Sequence, residues 1–353
     1  MGKKRLQDRI GEGSLLAEEV KTDREIGKLR ESVKTSEKKQ KLLSEELDRA
    51  EERLQVTLDL AGHYKPAKIK VDKSNPKGQA CAIWLASDWH VGERVDPATI
   101  NWMNEYNPDI AVARAKRFFQ NGLKLVRNNR AHIDIKTLVL WIGGDIVTGY
   151  IHEELVEDNY LSPTQEVLLA KDIFTGGINL LLEDGEFEQI VVVTSYGNHG
   201  RTGPRRHHAT GYKNSYEWAM YKDLERCYRE TAGISFHVEN GYLNYAEVFD
   251  FTLRFHHGDN IRYQGGVGGV GIPLAKFIAR TNQQRRADCD FIGHFHQLDP
   301  YAKWRRYAIN GSLIGFNAYA LSIAASPEPP VQAFQLLDAK RGVTISAPIL
   351  VAD

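Results

Sequence analysis

Cysteine is scarce in this chain of 353 residues, in which only Cys81, Cys227 and Cys289 occur. The three are far apart and form no CxxC pair, so they provide neither a disulfide framework nor a thiolate zinc site. We expect reduced, mostly buried cysteines, as is typical of a cytoplasmic protein. Any metal site must then be built from oxygen and nitrogen ligands.

The chain also lacks an apolar run long enough to cross a membrane. Its basic N-terminus, MGKKRLQDRIGEG, is not followed by the apolar core of a secretory signal. The 46 lysines and arginines balance the 46 aspartates and glutamates, which gives a formal net charge of +0. No overall polyanion-binding signature exists, and any contact with nucleic acid must come from a local basic patch. We therefore expect a cytoplasmic protein with no membrane partner.

Residues 1–62 differ from the rest because they are rich in Lys, Glu, Leu and Arg and contain no Pro or Trp. One heptad frame, weakened at Ser36 and Gln40, places these residues on its two seam positions: Ile26, Leu29, Val33, Leu43, Leu47, Ala50 and Leu54. The pattern predicts a short coiled coil that joins copies of the chain into a homo-oligomer. The alternative is a single amphipathic helix packed on the main domain. The Pro- and Lys-containing stretch 63–79 is predicted to be a linker.

From residue 80 to 353 the pattern alternates between strand and helix. Strands are predicted at 81–86, 137–142, 190–194, 234–238, 242–248, 251–256 and 289–293. Helices are predicted at 108–129, 164–183, 213–230 and 272–285, and the tail 298–350 reads as mostly β. Early βαβα followed by many strands indicates an α/β domain in which sheets pack together and helices lie outside.

Five of the predicted strands end on short polar clusters that contain glycine: SDWHVGE (87–93), GGDIVTG (143–149), GNHGR (197–201), RFHHGDN (254–260) and GHFHQ (293–297). Each cluster alone is explained by a turn or a structural histidine, but five such ends are not readily explained by chance. In α/β proteins this edge of the sheet is where ligands bind. If the extended backbone persists, Asp88 and His90 point to the same side, and His294 and His296 repeat that spacing.

The donors in these clusters are Asp88, His90, Asp145, Asn198, one of His256 and His257, His294 and His296. Asp145 lies in an apolar, glycine-rich setting, where an unpaired carboxylate is costly without a cation. Seven oxygen and nitrogen ligands exceed what one ion uses, whereas two ions that share a carboxylate account for them. Two ions about 3.5–4 Å apart clamp a phosphoryl group for in-line attack by activated water. We predict two divalent ions, Mn²⁺ first, with Zn²⁺, Fe and Mg²⁺ as alternatives.

The ordered motifs D-x-H, G-G-D, G-N-H, H-G-D and G-H-x-H resemble the calcineurin-like metallophosphoesterase superfamily over about residues 80 to 320. The resemblance implies an α/β fold, a four-layer α/β/β/α sandwich, preceded here by the helical segment. It implies a first ion on Asp88, His90 and His296, a second on Asn198, His257 and His294, and Asp145 between them. His257 is chosen over His256 because the family's histidine directly precedes Gly. His199 would lie beside the scissile phosphate and protonate the leaving oxygen or stabilise its developing charge.

The sequence departs from two branches of this superfamily. It lacks the Asp-Arg-Gly after the second motif and the Glu after GNH that mark protein phosphatases. Gly200 also stands where the repair-nuclease branch usually has Asp. The pattern is most similar to phosphoesterases encoded in phage genomes, which implies a host-cytoplasmic location.

A basic stretch follows the third motif. Arg201, Arg205 and Arg206 are predicted to bind substrate, and the aromatic residues interleaved over 201–218 suit base stacking. A solvated loop that leads into a helix explains the same stretch. We predict a phosphodiesterase or nuclease that acts on DNA. The alternatives are a phosphodiesterase or phosphomonoesterase for small nucleotides, and a coiled-coil scaffold with a secondary catalytic site.

Overall fold

The computed structural model describes residues 28–42, 45, 67–69, 78–262, 269–302 and 307–352. The chain divides into two units, Met1–Lys65 and Pro66–Asp353. In the first unit residues 28–42 are helical, and Leu29 and Val33 of the predicted seam are exposed. The remaining apolar seam positions lie outside the described residues, so self-association through a coiled coil stays a prediction.

Within the described part of the second unit, strands and helices follow one another along the chain. The strands are β1 (Ala67–Ile69), β2 (Gln79–Ala86), β3 (Asp134–Ile142), β4 (Gln189–Thr194), β5 (Ile234–His237), β6 (Asn244–Val248), β7 (Phe251–His256), β8 (Cys289–Ile292), β9 (Asp299–Ala302), β10 (Tyr307–Ile309), β11 (Val331–Asp338) and β12 (Gly342–Leu350). The α-helices are α1 (Pro108–Arg130), α2 (Glu153–Asp158), α3 (Pro163–Asp184), α4 (Tyr216–Cys227), α5 (Gly271–Gln284) and α6 (Ala318–Ser322). Short 3₁₀ helices occur at Pro97–Ile100 and Tyr212–Asn214.

These strands form two mixed sheets. The first sheet has the order β12-β11-β2-β3-β4-β5, and the second has the order β1-β6-β7-β8-β10-β9. In the first sheet β2 to β5 run parallel, and β11 joins their edge antiparallel to β2. In the second sheet β7, β8 and β10 are parallel neighbours. Parallel strands bring their carboxyl ends, and the loops that follow them, to the same edge of each sheet.

Side chains that alternate along β2 show how the layers stack. Trp84 and Ala86 pack among the helices α1, α3 and α4, and the ring of Trp84 meets that of Phe118 edge-on at 5.8 Å. Ile83 and Leu85 point the other way, into a core shared with the second sheet. Since successive residues of a strand face opposite sides, an all-apolar strand fits between two apolar layers.

The outer face of the second sheet is covered by α5, where Leu274 and Ile278 pack against Ile292 and Ile309. The order of layers is therefore helices, sheet, sheet, helix. The predicted α/β/β/α sandwich is confirmed. Among the described helices, none combines the length and apolar character that a membrane span requires.

Most predicted elements lie close to observed ones, and the differences have local causes. The stretch 63–79, predicted as a linker, contributes strand β1, which pairs in parallel with β6. The helix predicted over 213–230 begins only at Tyr216, because Ser215 caps it by accepting from the Trp218 N–H. The predicted β tail also contains helix α6. Cys81 and Cys289 are buried, Cys227 is exposed, and all three are free thiols.

Candidate metal centre

The five polar loops meet at the carboxyl ends of parallel strands from both sheets. Strands β2, β3 and β4 end in register, and β7 and β8 end together in the second sheet. Direct hydrogen bonds join the loops: the Asp88 N–H donates to the Gly144 carbonyl at 3.0 Å, and the His294 N–H donates to the Asp88 carboxylate at 3.0 Å. The sheet topology thus gathers residues that are some 200 positions apart in sequence.

A first ligand group consists of Asp88, His90 and His296, whose donor atoms lie within 4.8 Å of one another. His296 Nε2 is 3.3 Å from Asp88 Oδ1. Both ring nitrogens of His90 are buried and have no hydrogen-bond partner. Because a buried polar atom without a partner is costly, the His90 imidazole fits a site that holds an ion.

A second ligand group consists of Asp145, His257 and His294, again with donor atoms within 4.8 Å of one another. His257 Nδ1 lies 2.8 Å from the Gly143 carbonyl, to which it donates, and its Nε2 is 2.9 Å from Asp145 Oδ2. Metal-binding histidines commonly have their second nitrogen fixed by a backbone carbonyl in this way. The buried Oδ1 of Asn198 has no hydrogen-bond partner and is a further fitting donor.

The structure separates the two adjacent histidines at the end of β7. His257 points to Asp145, as the H-G-D motif implied. His256 points away from this group: its Nε2 lies 3.6 Å from Asp290, and its ring contacts that of Phe277 at 4.9 Å. His257 is therefore the residue placed to bind an ion.

His199 lies beside both groups. Its donor atom forms a third set with those of His90 and Asp145, and its ring stands perpendicular to that of His90 at 4.7 Å. Its Nδ1 is 2.8 Å from the Thr148 carbonyl, which can only accept, so the proton is on Nδ1. Its backbone N–H donates to Asp145 Oδ1 at 2.8 Å. The side chain leaves Nε2 free for chemistry, and the backbone orients the shared carboxylate.

The backbone is strained at the ligands. The φ angles of Asp88, His90, Asp145, His294 and His296 are 59°, 48°, 49°, 71° and 53°. The left-handed region costs a non-glycine residue roughly 1–3 kcal/mol and is concentrated at functional sites. The expectation that Asp88 and His90 keep an extended backbone is therefore wrong. The loops turn sharply instead, because the Asp88 and Trp89 amides bond to the Gly144 and Asp145 carbonyls.

The pKa shifts of the candidate ligands differ in direction, because burial and neighbouring charges oppose each other. Burial alone would raise the pKa of Asp145, but the charges of His257 and His199 hold it well below its usual value. Burial lowers the pKa of His294 to about 4 and that of His90 well below its ordinary value, which leaves their lone pairs available. Burial would also lower the pKa of His257, but the Asp145 charge raises it well above normal. A cation bound here would displace that proton.

Two buried glutamates that the sequence analysis missed support these loops from the helix side. In α4, Glu217 accepts from the Ile146 and Gly197 amides at 2.6 Å and 2.7 Å. In α3, Glu166 accepts from the Gly149 amide at 2.9 Å, and burial raises the pKa of its carboxyl to about 7. The sequence feature that could have identified them is a single glutamate on the otherwise apolar face of a predicted helix.

The first motif is supported from β11 and from the residue that follows β10. Gln332 Oε1 accepts from the Ser87 amide at 3.0 Å and from the Trp89 indole at 3.1 Å. Asn310 Nδ2 donates to Ser87 Oγ at 2.9 Å, and that hydroxyl donates to Asp88 Oδ2 at 2.5 Å. This network fixes Asp88, and the sequence analysis missed both amide side chains.

The predicted substrate arginines have different surroundings. Arg201 donates to the Asn198 carbonyl at 2.9 Å and lines a cavity of about 170 Å³ beside that residue. Arg206 forms an ion pair with Asp259 at 2.5 Å and also donates to Asn260. Arg205 is exposed and has no ion pair among the described residues. Asp259 thus neutralises the positive charge of Arg206, whereas the positive charge of Arg205 is free among the described residues.

The aromatic residues of this stretch are less available for stacking than the sequence analysis expected. Tyr212 and Trp218 pack against each other edge-on, with ring centroids 5.3 Å apart. Trp218 is half-buried against the helix-side core. Stacking on these two rings would require them to separate.

Two β-sheets lie between helices, and loops whose Asp and His side chains could hold metal gather at one edge. The structure shows the four-layer α/β/β/α sandwich that the resemblance to the calcineurin-like metallophosphoesterases implied. No protein-family profile matches the chain, and no curated protein matches it.

Solved structures similar to this chain include three that cover most of it. Vacuolar protein sorting 29 from Cryptosporidium parvum is 13% identical over 76% of this chain and 98% of its own, with a TM-score of 0.30. A predicted phosphoesterase from Streptococcus pneumoniae is 10% identical over 76% of this chain and 97% of its own, with a TM-score of 0.29. The sulfate thiohydrolase SoxB of Thermus thermophilus is 11% identical over 78% of this chain and 56% of its own, with a TM-score of 0.31. Likenesses of this size carry no argument about activity, and the fold assignment depends on the sheets and loops themselves.

Proposed function

We propose that this protein is a metal-dependent phosphoric ester hydrolase that cleaves phosphodiesters, with DNA as its substrate. The observation that supports it best is the position of Asp145. Its carboxylate lies within 4.8 Å of His90 and His199 in one group and of His257 and His294 in another. A carboxylate that belongs to two groups of imidazoles can serve a pair of ions. A single ion would need fewer ligands than these two groups provide.

In this proposal Asp88, His90 and His296 would hold one divalent ion, Asn198, His257 and His294 would hold the other, and Asp145 would be available to both. When bound, such ions polarise phosphoryl oxygens and lower the pKa of water, which allows hydrolysis near neutral pH. Oxygen and nitrogen donors without thiolate suit Mn²⁺, and also Zn²⁺ or Fe. Mn²⁺ is the ion we propose.

His199 supplies the proton that the leaving oxygen needs. The Thr148 carbonyl keeps a proton on Nδ1, so Nε2 faces His90 and Asp145. A second proton, taken up at Nε2, is the one that can pass to a departing alkoxide. Burial lowers the pKa of His199 while the Asp145 charge opposes that shift, so the imidazole gives up this proton readily.

A nucleic-acid substrate is proposed from the local charge near the ligands. The chain has no net charge, so a polyanion must be bound by local cations. Arg201 borders the cavity beside Asn198, and the neighbouring Arg205 is exposed without a partner among the described residues. A diester needs no pocket for a second anionic charge, and Asn198 and Arg201 line the same cavity.

One observation favours a second candidate, a phosphodiesterase for small nucleotides. The cavity beside Asn198 has a volume of about 170 Å³ and is lined by Tyr196 and Tyr242 as well as by arginine. A recess of that size suits a single base or sugar more than a polymer. Because Arg206 is paired with Asp259, this cavity also carries less free positive charge than the sequence indicated.

The test is a substrate comparison with added Mn²⁺, using a chromogenic diester, the matching monoester, single-stranded DNA and duplex DNA. Asp145→Asn serves as the inactive control. The proposal predicts faster hydrolysis of the diester than of the monoester, and cleavage of DNA. Cleavage of cyclic or small nucleotides without any cleavage of DNA would support the second candidate. No hydrolysis of any ester with Mn²⁺, Zn²⁺, Fe²⁺ or Mg²⁺ would reject both.

A further inference from the structure

Glu217 is a fully buried carboxylate in helix α4, outside the five motifs. Its Oε1 accepts from the Ile146 amide at 2.6 Å, and its Oε2 accepts from the Gly197 amide at 2.7 Å. Ile146 directly follows Asp145, and Gly197 directly precedes Asn198. A single side chain therefore joins the loop that carries the shared ligand to the loop that carries Asn198 and His199.

The glycine after GNH makes room for this carboxylate. A Cβ built at Gly200 would lie 2.6 Å from Cγ and 2.9 Å from Cδ of Glu217, closer than such atoms approach. The Gly200 carbonyl also accepts from the Tyr216 amide at 2.8 Å, which brings the start of α4 against the loop. A side chain at position 200 and the observed position of Glu217 exclude each other.

The two hydrogen bonds require two acceptor oxygens at this point. Two backbone N–H groups from different loops converge on the side chain, and a carboxylate has an acceptor oxygen for each. Glutamine has one oxygen and one NH₂, so its NH₂ would face one of the two amides. A buried amide left without an acceptor is unfavourable, and the loop that carries it would move.

We propose that Glu217 is a positioning residue of the metal centre, which sets the separation of Asp145 and Asn198 and so the affinity of their shared ion. The inference rests on the proposed function only in requiring that these residues bind a divalent ion. Loss of such a supporting contact typically weakens metal binding by about 10–100-fold. The effect should appear in binding itself, before any substrate is added.

The experiment is a calorimetric titration of Mn²⁺ into the full-length chain and three variants, each with its thermal midpoint measured without metal. Glu217→Gln removes one of the two acceptors, and Gly200→Ala displaces the carboxylate without altering it. Leu224→Ala is the matched control, because Leu224 is buried in the same helix and contacts the apolar core. We expect one of the Mn²⁺ sites, that of Asp145 and Asn198, to lose about 10–100-fold in affinity in the first two variants. Leu224→Ala should unfold earlier and bind Mn²⁺ like wild type.

The outcomes are distinguishable. Mn²⁺ binding by Glu217→Gln and Gly200→Ala that equals wild type would overturn the positioning role and leave Glu217 a structural residue. Equal losses in Leu224→Ala would overturn it too, since loosening of α4 alone would then explain the effect. If Glu217→Gln does not fold, the Gly200→Ala result decides. A wild-type chain that binds fewer than two ions would instead contradict the proposed function.

Discussion

Replacing His199 by alanine separates proton transfer from metal binding at this site. The side chain contributes the Nδ1 hydrogen bond to the Thr148 carbonyl and a free Nε2. The contact that orients the shared carboxylate comes from the His199 backbone, whose N–H donates to Asp145 Oδ1 at 2.8 Å. His199→Ala keeps that backbone bond. We therefore expect the variant to retain its metal ions while losing its proton donor.

The magnitude follows from the role. A positioned general acid contributes about 10²–10⁴-fold to turnover, which corresponds to roughly 3–5 kcal/mol of barrier. The loss should depend on the leaving group. A 4-nitrophenolate departs without protonation, so its diester should be affected much less than one that releases an alkyl alcohol. Since burial lowers the pKa of His199, the wild-type advantage should grow as the pH falls toward that value.

The assay compares kcat for two diesters that differ only in the leaving alcohol, together with elemental analysis of the same preparations. A large loss on the alkyl diester, a small loss on the nitrophenyl diester and unchanged metal content support the assignment. Loss of metal in His199→Ala would show that His199 is a ligand, as its membership of the His90 and Asp145 group allows. Equal losses on both diesters would refute its role as an acid.

Three further predictions concern other parts of the chain. Arg205→Ala should lower the salt dependence of DNA binding by roughly 0.7–0.9 in log–log slope, whereas Arg206→Ala, whose charge is paired with Asp259, should not; equal slopes in both would contradict this difference. Burial raises the pKa of Glu166 from 4.5 to about 7, so its contribution to stability is complete below pH 4.5 and lost as the pH rises through 7. Wild type should therefore lose roughly 3 kcal/mol of unfolding free energy relative to Glu166→Gln as the pH rises from 4.5 to 7, measured by urea unfolding without metal. A difference between the two proteins that does not change with pH would exclude the shift. Deleting residues 1–62 should reduce the number of chains per particle, obtained by light scattering, while hydrolysis of a small diester continues; an unchanged number of chains would reject the coiled coil.

The arrangement of the ligands could be predicted from the sequence because it follows from topology. Asp88, Asp145 and Asn198 each come just after an apolar strand, and the carboxyl ends of parallel strands meet at one edge. The apolar runs also located the strands, since a strand buried on both faces has no polar alternation. The strand pattern indicated a layered α/β domain, and the four-layer sandwich was implied by the family resemblance of the motifs.

The supporting contacts could not be predicted, because they join residues distant in sequence through backbone groups that leave no mark on it. Glu217 bonds to two amides 71 and 20 positions away. Arg206 was predicted to be free for substrate, but its partner Asp259 lies beyond helix α4 and three intervening strands. The left-handed backbone at Asp88 and His90 likewise depends on carbonyls of the next loop. A local sequence pattern does not identify partners that are distant in the sequence.

The central claim is that Asp145 joins two metal ions, and metal stoichiometry tests it most directly. Full-length protein and Asp145→Asn are loaded with Mn²⁺, freed of excess ion and analysed for metal per chain alongside diester hydrolysis. The account predicts two ions in active wild type, and loss of both activity and bound metal in Asp145→Asn. An active wild-type preparation that contains one ion or none, or an Asp145→Asn variant that keeps two, would contradict it.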